Sequence, residues 1–333
     1  MRHNSILHND KASLPSVWLK STMHDNDYFS HRSPYEEGKT LILSVIEGVP
    51  PNKHTIKLQI LRPIQPNTLS CVMEVDVLAV SGSTKPAKHS ILKLYDWRYA
   101  TQLRQDHGVD EWDPYHEDIY RTFVEEGGAK NFISALEDHN SVDDQLWDTA
   151  RNETFLFDYC RDLHSCEVEA YSRLQDLQER HVPRFFADVR LNAFTTPNAF
   201  FEVRGILLEF ISGYSLADLA KHAPQSSWQR ICDETIRTVN LISDHGILNE
   251  DVKPRNVLIR RRDKFSECEV VVIDFAQCRF RAAGQSEAAW KHEKWRQDEE
   301  GAIGYVMAHK LNGAFEYRPS YRFLCICTKC RDL

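Results

Sequence analysis

The sequence predicts an α+β protein, with a strand-rich first half and a mostly helical second half. Three observations carry that expectation. Apolar and polar residues alternate over 55–61 and again over 71–79, the period-two signature of strands, and a third strand is expected over 90–95. Phe155, Leu156, Tyr159, Leu163, Cys166, Ala170, Leu174 and Leu177 recur at three- and four-residue spacing, the signature of an amphipathic helix. A short apolar strand then runs into Gly213, and beyond it most apolar residues return to helical spacing. Two parts joined at that strand suit a chain of 333 residues, long enough for about two domains.

Each element has its own warrant. Residues 1–50 are polar, rich in Pro, Ser and His, and without periodicity, so they read as an N-terminal tail. Residues 55–61 and 71–79 alternate on either side of a break at Pro63 and Pro66, which makes a hairpin. A polar connection from Ser81 leads to a third strand over 90–95. The segment from about 97 to 152 is acidic. It also carries Trp112, Tyr115, Tyr120, Phe123, Phe132 and Trp147, too many aromatics for a disordered tract, so a folded helical insertion is expected. The long helix stops before Pro183, and strands are expected over 199–203 and 205–210. A helix over 227–244 has Gly246 as its stop. Short strands over 257–260 and 270–273 flank a basic run at 260–264, read as a solvated turn. Residues 287–310 read as helix, packed down by Trp290, Trp295 and Tyr305, and a tail with Cys325, Cys327 and Cys330 follows. Zinc there would need a fourth ligand, for which His309 is the nearest candidate, and a reduced tail is the favoured reading.

Composition excludes several classes. No uncharged apolar stretch approaches the roughly 18–20 residues of a membrane span, and residues 1–15 lack the apolar core of a secretory signal. Nine scattered cysteines do not form a disulfide framework, so an intracellular setting, cytoplasmic or nuclear, is expected. The net charge of −8 is unevenly spread: residues 101–153 hold fourteen Asp and Glu against four Lys and Arg. Nucleic acid would be repelled there, because its binding relies on clustered cations, and neither nucleic acid nor membrane is an expected partner.

The chemistry concentrates in two stretches, HGILNEDVKPRNVLI at 245–259 and VVVIDFA at 270–276. Asp251, Lys253 and Asn256 present a carboxylate, a cation and an amide from one tight loop, and Asp274 ends an apolar strand. Phosphoryl transfer needs such a set: a carboxylate near the attacking hydroxyl, a cation on the transferred group and oxygen ligands for Mg²⁺.

Asp251-Val-Lys-Pro-Arg-Asn256 followed by Asp274-Phe-Ala276 resembles the catalytic loop and DFG motif of the protein-kinase-like fold. The layout resembles the kinase-like proteins of filamentous fungi in particular. The resemblance implies an α+β bilobal fold: an antiparallel five-stranded β N-lobe with one long helix over 51–211, interrupted by the acidic insertion, and a truncated, mostly helical C-lobe over 212–333. It implies ATP and Mg²⁺ as cofactors. Lys93 on the third strand would hold the α- and β-phosphates, oriented by Glu169 of the long helix, with Glu167 the second choice. Leu208 would line the adenine pocket, and the backbone of Glu209 and Ile211 would bind the base. Asp251 would be the catalytic base, Lys253 would steady the γ-phosphoryl group, and Asn256 and Asp274 would hold the metal.

The departures define the competing expectation. There is no Gly-rich phosphate loop; the corresponding stretch, 62–70, is glycine-free and holds two prolines. Asn249-Glu250 replaces the usual His-Arg, which removes the arginine that would grip a phosphorylated loop. Only 59 residues follow Asp274. The sequence therefore predicts an ATP- and Mg²⁺-dependent phosphotransferase acting on a hydroxyl-bearing substrate, protein Ser/Thr favoured or else a small molecule. The alternative is an inactive relative serving as a nucleotide-binding or interaction scaffold.

Overall fold

The computed structural model describes residues 33–46, 54–81, 89–138, 147–194, 198–260, 269–320 and 322. Six strands form its largest sheet: β1 (Thr40–Val45), β2 (Thr55–Ile64), β3 (Cys71–Val80), β4 (His89–Tyr95), β5 (Phe185–Asn192) and β6 (Glu202–Glu209). They run in the order β1-β2-β3-β4-β6-β5, every pair antiparallel, and β5 returns to β1 to close a barrel. The alternation seen in the sequence is what fills it. Ile56, Leu58 and Ile60 of β2 and Cys71, Met73, Val75 and Val77 of β3 are all buried, with the intervening residues turned outward.

This closure corrects the expected architecture. The expected bilobal, kinase-like α+β arrangement with a five-stranded antiparallel N-lobe is replaced by a closed six-stranded barrel, sealed where Ser44 pairs with Arg190 and Val45 with Val189. β1 comes from within the stretch assigned to the polar tail, and β5 was not expected at all. Residues 199–210 form one strand, β6, after a 3-10 turn at Ala199–Phe201, rather than two strands. The physical gain is that β1 and β5, each of which would otherwise be a bare edge, pair with one another over two residues at the seam.

The acidic segment folds as α1 (Thr101–Asp106), α2 (Pro114–Glu125) and α3 (Gly128–Glu137). Asp113 caps α2 by accepting from the His116 N–H. Trp97 sits edge-on to Trp112 and Phe157 and tilted to Tyr120, and a buried Arg104–Glu153 fork at 3.0 and 2.6 Å ties α1 to the next helix. That helix, α4 (Thr149–Arg173), bridges two apolar cores. Leu156, Phe157, Cys160 and Leu163 pack in the barrel-side core, and Ala170 and Tyr171 in the second.

The second core is surrounded by β7 (Gly213–Ser215), α5 (Leu219–His222), α6 (Trp228–Asp244), β8 (Ile247–Asn249), β9 (Val257–Arg260), β10 (Glu269–Val272), β11 (Cys278–Phe280), α7 (Glu287–Gln297) and α8 (Glu299–Lys310). Two small sheets result, β10-β9-β7 and β11-β8. At Gly213 a side chain would meet the Ile259 carbonyl oxygen at 2.1 Å, so only glycine lets β7 approach β9. The expected single helix over 287–310 is two, broken at Asp298, whose backbone is left-handed (φ 48°) and whose carboxylate caps the Gly301 N–H. Of its three expected packing residues only Trp290 is buried, while Trp295 and Tyr305 are 44% and 60% exposed. The Cys-rich tail, residues 261–264 of the basic run and most of residues 1–50 lie outside the described residues. Among the described residues, no helix is long and apolar enough to cross a membrane.

Candidate active site

Lys93 is the hub. It lies on β4 opposite Ile206 of β6, 6% exposed, and its ammonium makes ion pairs of 2.7 Å to both Glu167 and Asp274. Burial alone would lower its pKa, but the Asp274 and Glu167 carboxylates outweigh that and hold it above the ordinary lysine value. The expected partner, Glu169, is not the one used: it points outward and pairs with Arg173 at 2.7 Å. Glu167 is buried and also accepts from the Tyr95 hydroxyl and, at 3.1 Å, from the Phe275 N–H. Next to it, Cys166 donates to the Cys278 carbonyl and accepts from the Cys278 N–H. Burial pushes that thiol up to about 11, so it acts here as a neutral hydrogen-bonding group. Two consecutive α4 residues thus grip the chain on either side of Ala276.

Asp274 stands at the end of β10 with φ of 70°, a conformation costly for a side-chain-bearing residue and held here by the surrounding bonds. Phe275 plugs the second core and Ala276 the first, and the Asp274 side chain that precedes them is 37% exposed. Burial of the carboxyl opposes ionisation, yet Lys93, with Lys253 beyond it, holds its pKa below the usual carboxylate range.

The 249–256 loop is organised around Asp251. Its carboxylate accepts from the Lys253 ammonium and, at 3.0 Å, from Asn256 Nδ2, while its N–H donates to Asn249 Oδ1 at 2.9 Å. Asn249 Nδ2 donates to the Asp274 carbonyl at 3.3 Å, and the Ile273 N–H donates to the Asn256 carbonyl at 2.9 Å. The two motifs of the sequence are therefore one hydrogen-bonded unit. Asp274 and Asn256 offer hard oxygen donors suited to Mg²⁺, and the contact of Asn256 Nδ2 with Asp251 turns the amide oxygen away from that carboxylate. Among the described residues, no group of three or more His, Cys, Asp and Glu side chains could hold a metal by itself.

Leu208, Glu209 and Ile211 lie at the end of β6, where Leu208 pairs with Ile91, two residues along β4 from Lys93. Leu208 and Ile211 are buried; the Glu209 N–H donates to the Arg184 carbonyl, and its carboxylate pairs with Arg260 at 2.9 Å. The 65–70 connection between β2 and β3 is pinned rather than open. The Asn67 N–H donates to Gln65 Oε1, and the Asn67 carbonyl accepts from the Thr101 hydroxyl of α1.

Sequence reasoning missed the role of Glu299. At the start of α8, 4% exposed, it accepts from the Asn249 N–H at 2.8 Å and the Ser243 hydroxyl at 3.1 Å, which anchors the loop from behind. Burial raises its pKa to about 7 against those bonds and the Lys294 charge. Nothing in its sequence context marks it.

No family model matches the chain. A stretch of 153 residues, 45% of the chain, is 26% identical to a protein named "Serine/threonine-protein kinase grp" from Drosophila melanogaster. The chain covers 26% of that relative's length. This part of the chain is thus similar to a serine/threonine kinase.

Proposed function

We propose that the protein is an ATP- and Mg²⁺-dependent phosphotransferase, acting on a hydroxyl-bearing acceptor, with protein serine or threonine favoured. The observation that carries this reading is the convergence on Lys93: one buried ammonium held at 2.7 Å by carboxylates from a helix and from a strand end. A pure scaffold has no physical need for that arrangement beside the Asp251–Lys253–Asn256 set.

In this reading Lys93, oriented by Glu167, would face the α- and β-phosphates, and Asp274 and Asn256 would supply oxygen ligands to Mg²⁺. The metal ion supplies charge neutralisation along the phosphates. Asp251 accepts the proton of the attacking hydroxyl, and Lys253 steadies the transferred group. Leu208 lines the base pocket, with the backbone at Glu209 and Ile211 reading the adenine edge. The narrower affinity, with the kinase-like proteins of filamentous fungi, belongs to the same proposal and rests on motif layout alone.

Thermal unfolding with ATP, with and without Mg²⁺, is the direct test. Saturation at 100 times Kd adds about 2.7 kcal/mol to stability. The Mg²⁺-dependent part of the shift should vanish in Asp274→Asn, and Asp251→Asn should abolish transfer while keeping the shift. A wild type that shows neither shift nor transfer sinks the proposal. A nucleotide-binding scaffold with little turnover is favoured by one observation, the pinned, glycine-free 65–70 connection, whose Asn67 amide is already engaged. A clear shift with no transfer to any hydroxyl acceptor or to water would select it.

A further inference from the structure

Between the Asp251 loop and the chain that follows Asp274 runs a charge network that the proposed chemistry leaves without a role. Glu250, adjacent to Asp251, accepts from Arg279 Nε of β11. Arg279 Nη1 donates at 2.9 Å to Glu293 of α7, whose other oxygen accepts from Gln285 Nε2 at 2.8 Å. Gln285 in turn accepts from the Ala282 N–H at 3.2 Å through its side chain and from Arg281 Nη2 at 3.0 Å through its carbonyl. On the backbone, the Glu250 N–H donates to the Gln277 carbonyl at 2.9 Å, and β8 pairs with β11 in the register Asn249↔Cys278.

The strand pairing that brings these segments together is only three residues long on each side. Two-stranded ladders of that size are marginal on their own, so the segment needs further fixation. From the helix side it comes from Glu167 and Cys166, which reach Phe275 and Cys278. From the solvent side Arg279 of β11 spans loop, strand and α7, with Glu250 and Glu293 on either flank, and Gln297 of α7 donates to the Glu250 carbonyl at 3.3 Å. Each of the three is about a third exposed, so each pair by itself is weak, but both are fastened to ordered elements and share one cation.

We propose that Arg279 is a positioning residue. Held between Glu250 and Glu293, it keeps the stretch from Asp274 to Phe280 against the Asp251 loop, using the chain's own carboxylates and no added phosphate. The inference deepens the proposed function, because it rests on Asp251 and Asp274 being the working pair of the site.

Two readouts separate the two ideas. The first needs no nucleotide: amide hydrogen exchange of the Glu250 and Arg281 N–H groups in the full chain, wild type against Arg279→Gln, Glu250→Gln and their double variant. Arg279→Gln should speed exchange about two- to fivefold, with the double variant no faster than Arg279→Gln alone. Phosphatase treatment of the wild type should change nothing. The second readout is the Mg²⁺ concentration giving half of the ATP-dependent thermal shift. It should rise by a similar factor in Arg279→Gln and stay put in Arg237→Gln, which breaks an exposed pair on α6. Unchanged exchange in Arg279→Gln, additive exchange in the double variant, or loss of protection after phosphatase would each overturn the proposal. If the wild type binds no ATP, the proposed function falls while the exchange result still decides the role of Arg279.

Discussion

Glu167 and Glu169 are two positions apart, and the structure gives them opposite lives. Glu167 takes Lys93, the Tyr95 hydroxyl and the Phe275 N–H, whereas Glu169 meets only Arg173 at the surface. Glu167→Gln should therefore cost about 2–3 kcal/mol in denaturant unfolding, because it removes one of the two carboxylates that compensate the buried Lys93 ammonium. Glu169→Gln should stay within about 0.5 kcal/mol. The sequence did hold a clue: Glu167 falls on the stripe of Leu163, Ala170 and Leu174, and a carboxylate on a buried stripe needs a buried cation. Glu299 supports a prediction in pH. Its folded pKa of about 7 exceeds the ordinary 4.5, so between those values the folded state holds a proton that the unfolded state has released. Stability contributed by this group is full below about pH 4.5 and falls as pH rises towards 7, by on the order of 3 kcal/mol. Glu299→Gln should flatten that fall, and urea midpoints across the window would check it. A wild-type profile without the fall would mean that Glu299 ionises freely.

Among the elements, those with a clean period were legible and those held by polar pairs were not. β2, β3, α4 and α6 announce themselves by spacing, since each buries one face, whereas β4 is buried on both faces from Leu92 to Tyr95 and shows as a short apolar run. β5 hides its pattern because Asp188 pairs with His164 at 2.9 Å and Arg190 with Glu202 at 3.0 Å, partners that only the fold supplies. The three-residue strands β7, β8 and β11 are too short for any periodicity. The contact at Gly213 gives a sharp test. Gly213→Ala must push the Ile259 carbonyl away, separating β7 from β9, at about 1–3 kcal/mol. A midpoint unchanged from wild type would show that the two strands can part freely. Asp113→Ala, which removes the α2 cap, should cost about 1 kcal/mol and loosen the helix start in hydrogen exchange.

At the scale of the molecule, α4 belongs to both cores, and Phe275 and Ala276 divide between them. Neither core can dissolve without exposing part of a helix that the other holds. Unfolding should therefore be a single transition, with tryptophan fluorescence and far-UV circular dichroism coinciding; two separated midpoints would contradict it. The chain order of strands, helix and paired motifs was visible in the sequence, and so were Lys93, Asp251, Asn256 and Asp274 as a set. Barrel closure was not. It depends on Val45 meeting Val189 across most of the strand-forming half, and nothing local to either residue encodes that meeting.

That meeting is also the thinnest seam of the ring. β1 is matched to β2 over five residue pairs but to β5 over only two. A hoop under load parts at its narrowest joint, so on warming the barrel should open first between β1 and β5. Each freed strand then carries a bare hydrogen-bonding margin, and the same margin is present on every other copy. Strand exchange between molecules, with β1 of one copy completing the ring of another, is the association that this architecture invites.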